Sequence, residues 1–182
     1  MEEKSLQGKR ILMIIAPEDF RDEELFTPKG LFEAEGAEVK IASTRLGPAR
    51  GMLGGSASPD LLIADARADD YDAIVVVGGM GSPTYLWPNE ALHRLLREAE
   101  EKGKVIGAIC LSPAVLARAG LLRGRRATVY ATEESLRELR QGGAHYQSVD
   151  VVTDGRLITA SGPQAAAEFG RAICAQLAAR SS

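Results

Sequence analysis

Short runs of apolar residues alternate along the chain with segments of helical periodicity. Four runs, at residues 10–16, 38–43, 73–77 and 105–109, are typical of strands buried on both faces of a parallel sheet. Two segments, residues 23–35 and 89–102, carry apolar positions at helical spacing and end at Gly36 and Gly103, which favour helix termination. This alternation predicts a doubly wound α/β sheet with right-handed crossovers.

The remaining segments predict smaller elements. Residues 47–60 are rich in glycine, proline and small side chains and indicate a loop or a weak hairpin. Residues 127–130 and 149–158, the latter broken at Asp154 and Gly155, predict short strands and a hairpin. Residues 165–179 predict a closing amphipathic helix with Cys174 on its apolar side, so this cysteine is assigned to packing.

Length and composition favour one globular domain. We expect the 182 residues to form a single domain over residues 1–182, with residues 1–8 as a flexible N-terminal tail. The net charge is -3, and acidic and basic residues are interleaved, which argues against nucleic-acid binding. No apolar stretch has the length of a membrane span, the first residues lack a signal-peptide core, and only two cysteines are present, so we expect a cytoplasmic protein without a membrane partner.

Cys110 stands where the apolar run 105–109 stops and a helix signal begins. Ser112 is a good N-cap, and Pro113 suits the first helical position. A cysteine at a sharp strand-to-helix turn is lifted above the sheet, and the free amides of the helix favour its thiolate. The alternative is a small hydrophobic side chain that only packs, and the cysteine alone does not decide between the two.

Two other segments are expected at the same edge of the sheet. Ligands of doubly wound sheets lie beyond the carboxyl ends of the strands, which brings together residues 18–24, residues 78–82 and Cys110. Glu24 can exchange a proton with the thiol, although the helix dipole alone favours acidic residues at a helix start. Gly78 or Gly79, together with the amide of Leu111, can form an oxyanion hole.

Cofactor and metal signals are weak. The glycine pair lacks the spacing of either nucleotide phosphate loop, and the first strand continues into residues 17–19 instead of a glycine turn. His93 and His145 do not form a metal pair with each other or with the cysteines. We therefore expect neither a cofactor nor a metal.

Several motifs in order along the chain resemble the ThiJ/PfpI superfamily, which includes intracellular proteases, glyoxalase- and deglycase-type proteins and the parkinsonism-associated redox protein. The motifs are FRDEE at 20–24 with Pro28, VGG at 77–79, AICLSP at 108–113, AGLLRG at 119–124, VVTDG at 151–155 and TASGP at 159–163. The resemblance implies a flavodoxin-like sandwich in a homodimer or a larger homo-oligomer. It also implies a Cys110 nucleophile, Glu24 as its acidic partner and an oxyanion hole formed by the amides of Gly79 and Leu111.

The chain also departs from this superfamily in places that concern activity. Leu111 stands where protease-like members carry a histidine directly after the nucleophile, and residues 81–85 offer no counterpart of their glutamate after the glycine loop. Peptide hydrolysis needs such a base and acid, so a protease is disfavoured. Where glyoxalase-type members place a histidine, the sequence has Tyr130, which we expect to line the pocket with Gly78.

Two functions remain in competition. The first is a cysteine-dependent enzyme, of hydrolase or glyoxalase type, that acts on a small electrophilic molecule through the Cys110 thiolate assisted by Glu24. The second is a non-enzymatic redox or stress-response protein whose Cys110 is oxidised to a sulfenic or sulfinic acid. A binding domain in which Cys110 only packs is the third interpretation.

Overall fold

The strands and helices follow the predicted alternation. The computed structural model describes residues 4–180. Its strands are β1 (Arg10–Ile14), β2 (Glu18–Phe20), β3 (Glu38–Ser43), β4 (Ala49–Gly51), β5 (Ser56–Ala57), β6 (Leu61–Leu62), β7 (Ala73–Val76), β8 (Val105–Ile109), β9 (Arg126–Ala127), β10 (His145–Tyr146), β11 (Val151–Asp154) and β12 (Leu157–Ala160). Its α-helices are α1 (Asp22–Ala34), α2 (Ser82–Tyr85), α3 (Glu90–Glu101), α4 (Pro113–Arg118), α5 (Glu133–Gln141) and α6 (Ala166–Ala179).

The central sheet has seven strands in the order β11-β12-β8-β7-β1-β3-β6. All neighbours are parallel except β11 and β12, which form the predicted antiparallel hairpin. The chain leaves β1 towards β3 through α1 and later returns to the other side of β1 as β7, which continues through α3 to β8. Right-handed crossovers in opposite directions place helices on opposite faces, so the predicted α/β fold is confirmed.

The core lies between the sheet and the helices. Every residue of β7 and β8 is buried, as expected for central strands covered on both faces. On one face α1 packs against α6, where Gly170 leaves room for Pro28 and Leu31. No helix within residues 4–180 is both long and apolar enough to cross a membrane.

A second, three-stranded sheet lies at the site end of the fold. The segment 47–60 does form a weak hairpin, in which β4 and β5 are antiparallel, and β4 also pairs with β2. The tip of this hairpin contacts α1, because the Asp22 carboxylate accepts hydrogen bonds from the amides of Leu53 and Gly55, both at 2.8 Å. The hairpin therefore has a fixed position beside the first turn of α1.

Three local predictions are corrected. Residues 4–8 of the predicted flexible tail are held in place, because Leu6 is fully buried and its amide donates to the carbonyl of Glu35; residues 1–3 lie outside the described residues. Only Ala127 of the predicted strand 127–130 is in a strand, and that strand pairs with β10 outside the central sheet. Ser112 precedes Pro113 as predicted, but its hydroxyl does not cap α4.

Candidate active site

Cys110 is the residue that follows the last position of β8. Its φ of 65° lies in the left-handed region, which non-glycine residues seldom adopt. Both of its peptide groups are held, since its amide donates to the carbonyl of Ala160 at 2.8 Å and its carbonyl accepts from the amide of Tyr130 at 2.7 Å. A strained residue fixed in this way marks a candidate functional position.

The turn after Cys110 is tied to the neighbouring strand by Ser112. The Ser112 hydroxyl donates to the carbonyl of Val77 at 2.7 Å and shares a second hydrogen bond with the Ser82 hydroxyl at 2.8 Å. The serine therefore links the end of β7 to the start of α4 instead of capping the helix. This link fixes the position of the glycine loop at residues 78–79 relative to the turn at Cys110.

Glu24 lies in the first turn of α1 and is completely buried. Its Oε1 accepts a hydrogen bond from the amide of Gly78 at 3.0 Å, and its carboxyl group also lies within hydrogen-bonding range of the Cys110 thiol. Its Oε2 has no nitrogen or oxygen partner within residues 4–180. The structure therefore brings Glu24 and Cys110 together as two buried side chains.

The burial of Glu24 decides its protonation state. Burial raises the pKa of Glu24 to about 8, although the hydrogen bonds from Cys110 and Gly78 oppose this change. The carboxyl group is therefore protonated at neutral pH and can donate a hydrogen bond. A protonated carboxyl group beside a thiol supports a thiolate, whereas a carboxylate would repel it.

The surroundings of Cys110 act on its pKa in opposite directions. Burial and an ionised Glu24 together raise the pKa of Cys110 to about 12, and the amides of Gly79 and Leu111 oppose this rise only in part. The repulsion from Glu24 disappears when that carboxyl group carries its proton. The amides of Gly79 and Leu111 both act on the Cys110 sulfur. They are the two amides that the resemblance assigned to an oxyanion hole.

The two glycines of the loop have different roles in the packing. A Cβ at Gly78 would lie 2.5 Å from Cβ of Cys110 and 2.7 Å from Oε1 of Glu24, so this position keeps the two side chains within reach of each other. Gly79 has a φ of 110°, and a Cβ there would overlap the backbone of Asp19 and Arg21. We expected Gly78 to line the cavity. Instead it lies between Glu24 and Cys110 and is not among the lining residues.

The thiol faces a cavity of about 240 Å³. Its lining residues are Arg21, Met52, Gly79, Met80, Cys110, Leu111, Tyr130, Pro163 and Gln164. Tyr130 thus lies where the sequence placed it, and its side chain is half exposed. A cavity of this size accepts a small molecule, and the two methionine side chains and Leu111 make part of its wall apolar.

The sequence did not identify several of these lining residues. Met52 comes from the loop of the β4–β5 hairpin, where its sulfur accepts a hydrogen bond from the amide of Met80 at 3.4 Å. Arg21 forms a bidentate ion pair with Glu23. It also lies close enough to Cys110 for an electrostatic interaction between its guanidinium group and an ionised Cys110 thiolate. Met52 lies within the glycine-rich segment 47–60 and Arg21 within the motif at 20–24. Neither pattern indicated that these side chains would line a cavity.

Both histidines lie outside the cavity. His93 Nε2 is bonded to the carbonyl of Trp87 at 2.8 Å, and His145 is exposed on β10. Trp87 is buried, and its ring N–H donates to the carbonyl of Leu111 at 2.8 Å, so it stabilises the turn that follows Cys110. Among residues 4–180, no three His, Cys, Asp or Glu side chains cluster closely enough to hold a metal ion.

The chain is similar in sequence to several known proteins. The chain is 50% identical over 167 residues to an uncharacterized protein of Methanocaldococcus jannaschii, covering 92% of this chain and 82% of the relative. It is 31% identical to the deglycase PfpI of Pyrococcus furiosus, covering 84% of this chain and 90% of the relative. It is 30% identical to a glutathione-independent glyoxalase of Caenorhabditis elegans, covering 91% of this chain and 87% of the relative.

A solved structure shows the same fold. The crystal structure of a ThiJ/PfpI domain protein from Brachyspira murdochii superposes with a TM-score of 0.90 at 32% sequence identity, covering 95% of this chain and 98% of the other. Residues 9–176 match the DJ-1/PfpI family, which is nearly the whole described chain. The resemblance identified from the sequence motifs is confirmed, and the chain belongs to the DJ-1/PfpI family.

Proposed function

We propose that the protein is a cysteine-dependent enzyme that acts on small carbonyl compounds, of which dicarbonyls such as methylglyoxal are the type. One observation carries the proposal: a strained Cys110 lies between two backbone amides and a buried, protonated Glu24, and it opens into a small cavity. Relatives named deglycase and glyoxalase at about 30% identity support this reaction class.

The residues present can carry out each step. The Cys110 thiolate adds to the aldehyde carbon, a carbon–sulfur bond forms, and the carbonyl electron pair moves to oxygen. The amides of Gly79 and Leu111 stabilise that oxyanion, and Glu24 gives it a proton. The resulting hemithioacetal keeps the thiol bound beside a carboxylate that can act as a base.

The second half of the reaction uses Glu24 as this base. The carboxylate removes the hydrogen from the former aldehyde carbon, and the enediol that results tautomerises to a thioester when the neighbouring carbon gains a proton. Water then cleaves the thioester to a 2-hydroxy acid and restores the thiol. One dicarbonyl and one water thus become one 2-hydroxy acid, so the sequence of steps needs no external oxidant or reductant.

Peptide hydrolysis fits the same site less well. The position after the nucleophile is Leu111, and neither histidine lies in the cavity lining. An amine leaving group needs an acid for its departure and the thiol needs a base, and Glu24 is the one buried carboxyl group at Cys110 among the described residues. A carbonyl addition, which has no leaving amine, needs less from the site.

The test compares methylglyoxal turnover by the wild type, Cys110→Ser and Cys174→Ser. Cys174 is the matched control because it is the other free cysteine and lies in α6, packed against the core outside the site. We expect Cys110→Ser to lose about a thousandfold in kcat/KM and Cys174→Ser to keep the wild-type value. Equal turnover by the wild type and Cys110→Ser would overturn the proposal.

A redox role of the same cysteine is the second candidate. It is favoured by the partner-free Oε2 of Glu24, since a sulfinate at Cys110 offers acceptor oxygens to a protonated carboxyl group and to the two amides. After mild peroxide treatment, mass spectrometry should find two oxygen atoms added at Cys110 in the wild type and a smaller yield in Glu24→Gln. Preferential oxidation of Cys174 or of methionines would exclude this role.

A further inference from the structure

A second open cavity of about 240 Å³ adjoins the cavity of Cys110. The two share Tyr130 and Gln164, so these two side chains form the border between them. They converge at Gly162, where a Cβ would lie 2.8 Å from Oε1 of Gln164 and 3.4 Å from Cδ2 of Tyr130. A substrate bound at Cys110 can therefore extend past Tyr130 into the second cavity.

The second cavity carries a single charged side chain. Besides Asp150, its lining consists of uncharged residues, which are Val129, Tyr130, Ala131, Tyr146, Ser148, Val149, Ser161 and Gln164. The Asp150 carboxylate has no hydrogen bond and no ion pair within residues 4–180, although the carbonyl of the same residue accepts from the amide of Ser161. By contrast, the Asp22 carboxylate accepts two backbone hydrogen bonds and Glu23 pairs with Arg21.

Two aromatic rings accompany this free carboxylate. Tyr130 is 50% exposed and Tyr146 is 38% exposed, so both rings are accessible to a ligand in the cavity. The face of a tyrosine ring attracts a cation within about 6 Å of its centre. One carboxylate and two accessible rings, in a cavity with no lysine or arginine among its lining residues, form an environment suited to a cationic group.

We propose that the second cavity is a subsite for a cation, and that the substrate is a small carbonyl compound with a positively charged nitrogen group. The carbonyl lies at Cys110, and the cation lies between Asp150 and the rings of Tyr130 and Tyr146. The placement of the carbonyl group at Cys110 rests on the proposed function, whereas the cation subsite does not. An anionic group is repelled by Asp150, and a neutral apolar group gains no electrostatic attraction from that carboxylate.

Two synthetic dicarbonyls of equal shape test the proposal. They are 4-(trimethylammoniomethyl)phenylglyoxal and 4-(2,2-dimethylpropyl)phenylglyoxal, which differ only in a cationic nitrogen instead of a carbon. We expect the wild type to prefer the cationic probe by about five- to tenfold in kcat/KM, which is the size of an exposed ion pair combined with a cation–π contact. The preference should decrease with added salt, since the carboxylate is solvent-accessible.

Variants separate the charge of the cavity from charge elsewhere. Asp150→Asn should bring the ratio of the two probes to about one, whereas Asp65→Asn, which removes the same charge at the distant β6 edge, should leave the ratio at the wild-type value. Tyr146→Leu should lower the ratio, and Tyr146→Phe should keep it, because a phenylalanine retains the ring face. A wild-type ratio near one, or an unchanged ratio in Asp150→Asn, would overturn the inference.

Failure of the inference can be told apart from failure of the proposed function. If both probes are turned over in a Cys110-dependent way but without a charge preference, the subsite alone is wrong. If Cys110→Ser and the wild type do not differ in turnover, calorimetric binding of benzyltrimethylammonium still decides about the subsite. Binding to the wild type that is weakened about fivefold or more in Asp150→Asn supports it, and equal or absent binding excludes it.

Discussion

At the scale of single residues, the site depends on how closely Cys110 and Glu24 approach each other. Gly78 lies between them, and its missing side chain leaves just enough space for the contact. The Glu24 carboxyl group is buried and protonated at neutral pH, so it faces the thiol as a donor. Reactivity of Cys110 should therefore respond both to the space at Gly78 and to the proton of Glu24.

Gly78→Ala is expected to reduce the turnover of methylglyoxal strongly while leaving a folded protein. The added methyl group separates Cys110 from Glu24, and a displacement of this kind costs about a hundredfold in kcat/KM for methylglyoxal. The crowding should also lower the free energy of unfolding by about 1–3 kcal/mol. Gly30→Ala in α1 is the control, because no atom lies within 4 Å of its Cβ; wild-type activity in Gly78→Ala would contradict the packing argument.

Glu24→Gln should make the Cys110 thiol harder to ionise. An amide N–H donates a weaker hydrogen bond to a thiolate than a protonated carboxyl group does, so we expect the apparent pKa of Cys110 to rise by about one unit. The measurement is the pH dependence of iodoacetamide alkylation, followed by mass spectrometry. Cys174 serves as the control in the same molecules, and identical Cys110 profiles in both proteins would show that Glu24 does not assist ionisation.

Glu24 also shows what sequence reasoning at this scale can and cannot do. Asp22, Glu23 and Glu24 all suit a first helical turn, and the helix dipole does not distinguish between them. The structure gives them three different tasks, since Asp22 holds the hairpin, Glu23 pairs with Arg21 and Glu24 contacts Cys110. The resemblance selected Glu24 in advance, but only packing reveals the tasks of the other two.

At the scale of elements, the β4–β5 hairpin forms one wall of the cavity through Met52. Its loop is held by two hydrogen bonds from the amides of Leu53 and Gly55 to the Asp22 carboxylate. A Cβ at Gly51 or at Gly55 would lie 2.5 Å from this carboxylate, so the glycines let the backbone come close. The hairpin is therefore held by one side chain of α1 in addition to the pairing of β4 with β2.

Asp22→Asn is expected to loosen this wall. The asparagine presents an N–H group to one of the two backbone donors, and a buried hydrogen bond to a charged group is lost at a cost of about 1–3 kcal/mol. Hydrogen exchange at the amides of Leu53 and Gly55 should accelerate, and KM for methylglyoxal should rise more than kcat falls. Glu33→Gln, on the exposed side of the same helix, is the control; unchanged exchange at both amides would show that Asp22 does not hold the hairpin.

The sequence predicted best the elements whose burial follows from their own local pattern of apolar residues. The strands 38–43 and 105–109 coincide with β3 and β8. The run 105–109 is apolar and buried throughout, and the second half of 38–43 is buried as well. Residues 128–130 are Thr, Val and Tyr, which also suit a strand, yet the amide of Thr128 donates to the Thr159 hydroxyl and the amide of Tyr130 to the carbonyl of Cys110. These partners belong to distant segments, so local pattern could not predict them.

At the scale of the whole molecule, the candidate site arises where three segments meet at one end of the sheet. The strand order reverses next to β1, and the turns after β7 and β8 and the start of α1 converge there. The fold was predictable because this reversal follows from the alternation of strands and helices. The second cavity was not predictable, since its lining comes from residues 129–164 whose packing no short motif describes.

The buried Glu24 should make the stability of the whole protein depend on pH. Its ordinary pKa of 4.5 applies to the unfolded chain, and burial raises the pKa in the folded protein to about 8. Between these values the folded state holds a proton that the unfolded chain has released. The contribution of Glu24 is therefore complete below about pH 4.5 and is lost as the pH rises through about 8.

Urea unfolding of the wild type and of Glu24→Gln across this range measures the effect. The stability of the wild type relative to Glu24→Gln should fall with rising pH, with a slope approaching about 1.4 kcal/mol per pH unit where the unfolded chain is deprotonated and the native state is not. Glu101→Gln, which removes an exposed carboxylate, should follow the wild-type curve. Parallel curves for the wild type and Glu24→Gln would mean that Glu24 is ionised in the folded protein, and the thiolate would then lose its donor.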